Sequence, residues 1–191
     1  MMRRFKWLVF VIVINVVYAC NSDNDKYDRL VKNELSRGIR KDSLFMGIKF
    51  GMTQKEFYTY CWAMNKKGLF VDGANSMSVL YKLNNELKSP ASMNFFPAFK
   101  QDKIYKMRAM FGYDTFAPWN KRLYADSLQL DLLNLFKKWY KGTDFISMKD
   151  SLKGPIFIKV DGNRRIIIGK YDEAHVKVDY TDLLAEDNLI K

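Results

Sequence analysis

Histidine, cysteine and proline are scarce in this chain: one, two and four among 191 residues. With a single histidine, His175, and no ligand spacing around it, a metal site has little to build on. A serine-hydrolase triad would need that same histidine as its base, and no Gly-x-Ser-x-Gly elbow is present. Phosphate-binding loops and dinucleotide fingerprints are also missing, so no cofactor is expected. Few prolines together with 15% aromatic residues exclude a disordered chain.

What the chain does have begins at its N-terminus. Arg3, Arg4 and Lys6 precede eleven nearly all-apolar residues, Trp7 to Val17. That run is short of the ~20 residues a membrane-crossing helix needs, but it fits a signal-peptide core of ~7–15. Val17-Tyr18-Ala19-Cys20 follows and resembles a bacterial lipobox, in which a small residue precedes the cysteine that is cut, acylated and left at the mature N-terminus. The resemblance implies a signal peptide over 1–19, lipidation of Cys20 and a polar tether over 20–24. Acyl chains on Cys20 would meet the two-signal requirement for stable membrane attachment. Asn21 is not the aspartate that retains such proteins at the inner membrane, which implies the outer membrane, with the folded part on its periplasmic or surface face. Lipidation of Cys20 leaves Cys61 without a partner. It falls on the apolar face of an expected helix, so a core position is expected.

Removing 19 residues leaves 172, enough for one domain with a real core, expected over 25–191. Subtracting Arg3, Arg4 and Lys6 leaves 29 basic residues against 21 acidic, a net charge of about +8. The basic residues are scattered and accompany no recognition motif, so nucleic-acid binding is not expected.

Periodicity predicts an amphipathic helix over 25–39. Thr53-Gln-Lys-Glu56 is a capping box that starts a second helix, and Phe57, Tyr60, Cys61 and Met64 form its apolar stripe. Strands are expected at 77–83, at 93–99 as an edge strand or a strand end because of Pro97, and at 103–111. A third helix is expected over 125–141, capped by Asp126 or Ser127 and closed by Gly142, with Leu128, Leu132, Leu135, Phe136 and Trp139 inward. A hairpin over 156–170 turns at Asp161-Gly162-Asn163, and a strand over 174–180 and a short helix over 181–190 complete the chain. The pattern is helix then three strands, twice, at about 43–112 and 113–180. Two such units solve their burial problem by packing both helices on one face of a shared, mostly antiparallel sheet, an α+β fold.

Phe50-Gly-Met-Thr-Gln-Lys-Glu-Phe57 resembles a segment of small uncharacterised lipoproteins of Bacteroidetes. It also loosely resembles the Gly-Met-Thr helix start of the small lipoprotein of outer-membrane barrel assembly, and tandem copies of a similar unit occur in β-lactamase-inhibitor-like folds. The resemblance implies a binding or scaffolding role and carries no functional residues with it.

Two candidate sites follow. The connection from Phe111 to Tyr124 gathers Tyr113, Phe116, Trp119 and Tyr124 among Asp114, Asn120, Lys121 and Arg122. Aromatics beside polar groups suit a protein or glycan partner, and Trp119 and Tyr113 are the expected anchors. The alternative is an envelope hydrolase using His175 with Asp172 or Glu173. The first reading makes the protein a non-catalytic binding module.

Overall fold

A computed structural model describes residues 23–73, 78–150 and 154–186. The expected signal peptide over 1–19 and Cys20 lie outside the described residues, as do Met77 and 187–191. Helices α1 (Asp23–Ser36) and α2 (Gln54–Lys66) lead into strands β1 (Phe70–Asp72), β2 (Val79–Leu83), β3 (Ala91–Lys100) and β4 (Lys103–Tyr113). Helix α3 (Ala125–Trp139) leads into β5 (Ile146–Asp150), β6 (Gly154–Asp161), β7 (Arg164–Lys170) and β8 (His175–Asp182), and a one-turn helix α4 (Leu183–Glu186) follows. The strands form one sheet in the order β1-β2-β3-β4-β8-β7-β6-β5, antiparallel at every junction. The fold is α+β.

Each unit therefore carries four strands where three were expected. The additional strands, β1 and β5, are the two sheet edges and span only 3 and 5 residues. Strand β3 is not an edge, despite Pro97. Among the described residues its pairing with β2 ends at Val79↔Phe95, and Pro97 pairs with Met107 of β4. A bulge interrupts the β3–β4 ladder between Ala98 and Phe99. Ala98 pairs with Lys106 and Phe99 with Ile104, so Tyr105 has no β3 partner, and Ile104 is buried.

Helix α2 starts at the expected box. The Glu56 amide donates to the Thr53 hydroxyl at 3.2 Å, and the Thr53 amide donates to the Glu56 carboxylate at 2.7 Å. Gly68, at φ +71°, ends it. Helix α3 starts differently: Tyr124 occupies the cap position with no side-chain cap, and the Ala125 amide donates to the Glu173 carbonyl at 2.8 Å. Asp126, expected as a cap, instead accepts from Lys170 at 2.7 Å.

The main core lies between one sheet face and helices α2 and α3. Phe57 and Cys61 of α2 and Leu128, Leu132 and Phe136 of α3 meet Met93, Phe95, Met107, Phe111, Ile166 and Val178. The turn between α1 and α2 contributes Leu44, Phe45, Ile48 and Phe50 to the same core. The helices of the two units thus share one sheet face, as expected, while helix α1, which precedes both units, packs elsewhere. Its Tyr27, Leu30, Val31 and Leu35 pack against Ile158 and Val160 of β6 and Leu183, on the opposite sheet face. Residues alternate across a strand, so β6 can feed both layers: Ile158 meets α1 while its neighbour Phe157 joins the main core. Lys159 shares the main-core side and is 1% exposed. Its ammonium donates to the Thr143 carbonyl, and burial pulls its pKa down.

Candidate functional site

The connection between β4 and α3 is an ordered loop. At its start the Asp114 amide donates to the Pro90 carbonyl at 3.0 Å, and the Asp114 carboxylate accepts from Ser92 and Lys82. In its middle the Asn120 amide donates to the Ala117 carbonyl at 2.9 Å. The Asn120 side chain accepts from the Arg122 amide at 3.2 Å, opening a 3-10 turn over Lys121–Leu123. Near its end the Tyr124 hydroxyl donates to the Pro118 carbonyl at 2.6 Å. Rings of Phe116 and Tyr124 lie 5.5 Å apart, so two of the four expected binding aromatics are spent on holding the loop.

Tyr113 and Trp119 part company. Tyr113, expected as an anchor, is 4% exposed, and its hydroxyl donates to the Asp131 carboxylate of α3. Burial, then the Asp131 hydrogen bond and charge, push its pKa above the ordinary tyrosine value. Tyr113 secures the loop's root and presents no surface to a partner. Trp119 is 87% exposed, and Lys121 and Arg122 beside it are also exposed. The loop thus offers one indole flanked by two cations. Asp131 and the Glu173 carbonyl are the supports that sequence reading missed. They stand 18 and 48 positions from their partners Tyr113 and Ala125, and no local pattern marks them.

The Glu173 contact joins the loop to the turn that carries His175. There, Asp172 accepts from the Ala174 and His175 amides at 2.9 and 2.7 Å, and both its oxygens lie 2.9 Å from His175 Nδ1. Burial raises the Asp172 pKa, but hydrogen bonds from the His175 ring and the two amides outweigh it, and the carboxyl titrates below its ordinary value. Glu173 is exposed and makes no contact with the imidazole. The His175 ring leans over Gly112, on the sheet face opposite the main core. A pocket of about 400 Å³ there is lined by His175 with Ser92, Asn94, Phe96, Met110 and Asp114. Ser92, a hydroxyl in the same lining, donates to Asp114 and accepts from Lys82, so the imidazole does not activate it.

Among the described residues, no three His, Cys, Asp or Glu side chains gather as a metal site, and no helix is long and apolar enough to cross a membrane. No known protein family, curated protein or solved structure matches this chain.

Proposed function

We propose that this chain is a non-catalytic binding or scaffolding module of a bacterial cell envelope. Lipid on Cys20 would hold it at the outer membrane, and Trp119 would engage a protein or glycan partner. The observation that carries the binding reading is the 87% exposure of Trp119 on a loop whose other aromatics are packed. An exposed tryptophan costs solubility, and a braced loop loses little entropy on docking. Tryptophan and arginine are also the residue types that dominate binding hot spots. The envelope reading rests on the N-terminal charges, the short apolar run and the Ala19-Cys20 pair.

Photo-crosslinking from position 121 in the native envelope tests the partner. Trp119→Ala should lower the crosslinked yield severalfold while the unfolding midpoint stays unchanged. Equal yields with wild type would defeat the docking role. Radiolabelled palmitate should enter the wild type and not Cys20→Ala, and equal labelling would defeat the anchor. The hydrolase reading has one supporting observation, the short His175–Asp172 contact. It requires His175→Ala to abolish an esterase or peptidase activity that the wild type displays.

A further inference from the structure

We propose that a cavity at the C-terminal end of α3 binds a small organic anion with a flat, apolar body. The cavity holds about 670 Å³, inside the ~300–1,000 Å³ range of small-molecule sites. Its wall joins both units. Tyr81 and Glu86 come from the first, Trp139 and Lys141 from the end of α3, and Asp161 and Arg164 from the β6–β7 hairpin. The turn at 41–46 closes the remaining side.

Charge selects the ligand's sign. Three cations, Lys41, Lys141 and Arg164, share the wall with two carboxylates, Asp161 and Glu86. Both carboxylates are engaged: Asp161 accepts from Arg164 at 3.2 Å, and Glu86 accepts from the Tyr81 hydroxyl at 2.7 Å and the Asn85 amide at 3.0 Å. Lys41 and Lys141 are exposed and have no ion-pair partner among the described residues. Arg164 is 5% exposed and immobilised, donating to the Ser43 carbonyl and Asp161 while its guanidinium lies 4.6 Å from the Tyr140 ring centre. Arg164 and Asp161 offset each other, so the wall is left net positive by the two unpaired lysines, Lys41 and Lys141, against Glu86. A carboxylate, phosphate or sulfonate group suits that arrangement.

Ring geometry selects the ligand's body. One face of Trp139 stacks on Phe136, with centroids 5.6 Å apart and planes 22° apart, yet the residue remains 36% exposed and lines the cavity. That exposed ring surface is available to a flat partner. The Tyr140 hydroxyl is spent on the Leu44 carbonyl at 2.7 Å and on Tyr180 at 3.1 Å, so its ring acts as apolar wall. Leu44, Phe45 and Met46 extend that wall.

Two fluorescent probes with nearly the same aromatic body separate charge from shape: anilinonaphthalene sulfonate and the uncharged N-phenylnaphthylamine. Full-length protein in detergent should bind one sulfonate probe per chain, about tenfold more tightly than the amine. Lys41→Glu with Lys141→Glu should weaken the sulfonate by about tenfold, leave the amine unchanged and leave near-ultraviolet circular dichroism intact. The Trp139 indole N–H signal should shift in the sulfonate titration, and Trp119→Ala should leave probe affinity unaltered. Equal affinity for the two probes, undiminished sulfonate binding by the charge-reversed protein, or a Trp139 signal that stays in place would each overturn the site. None of these results bears on the loop's partner, because Trp119 does not line this cavity.

Discussion

The Glu34 carboxylate of α1 accepts the Gly162 amide at the tip of the β6–β7 hairpin, across 2.9 Å and 128 sequence positions. Arg37 donates to the same carboxylate at 2.8 Å, and Glu34 is 5% exposed. Gly162 sits at φ +59°, and a Cβ there would meet the Ile39 carbonyl oxygen at 2.2 Å, so the chain that follows α1 can pass this close only because the residue is glycine.

Acid should loosen α1. Burial raises the Glu34 pKa, but the Gly162 amide and Arg37 lower it further, for a net shift below the ordinary value of 4.5. A depressed folded pKa means that the stabilisation is complete above the unfolded value and is lost as pH falls through the folded one. Glu34→Gln should cost about 1.5–3 kcal/mol at pH 7. That cost should shrink below pH 4.5 in urea titrations followed by circular dichroism.

Core truncation should hurt at both helices. Phe57 and Leu132 are each 0% exposed. Phe57→Ala should cost about 3–5 kcal/mol and Leu132→Ala about 2–5 kcal/mol, read as shifts in the urea midpoint with an unchanged slope.

Cys61 should resist thiol reagents. It is 7% exposed, and burial pushes its thiol up to about 12. In the Cys20→Ala protein, Ellman's reagent at pH 7.5 should react only after guanidinium unfolds the chain, since the thiolate is the nucleophile. Rapid reaction of the folded protein would contradict the packing of α2.

Two aromatics of one loop should behave oppositely. Tyr113→Phe removes the donor to Asp131 and should cost about 1.5–3 kcal/mol, whereas Trp119→Ala should cost under about 0.5 kcal/mol. Thermal melts of the two variants give the comparison directly.

Local chemistry was readable wherever it was short-range. The Thr53–Glu56 box, the Gly162 turn and the stripes of α2 and α3 rest on neighbours three or four positions apart, and the structure contains them, except that Trp139, expected inward, is 36% exposed at the end of α3. What escaped depended on distant partners. Strand β1 has three residues and no alternation to read, and β5 has five. The side chosen by α1 follows from a β6 strand that is apolar on both faces, and a helix stripe does not say which face it will meet. Trp119 and Tyr113 look alike as aromatics in a polar connection. Only Asp131, a residue of the following helix, separates the anchor from the support.

The place of β8 bears on how the protein is made. It is the last strand in the chain, yet it stands in the middle of the sheet, between β4 and β7. During synthesis the first unit can complete β1 to β4 early, but the free edge of β4 must then wait for residues 175–182 before it is covered. An open strand edge is a template for pairing with the wrong chain. The cell must therefore shield a half-built sheet for more than sixty residues of growth, and a chain cut short before His175 would leave that edge bare for good.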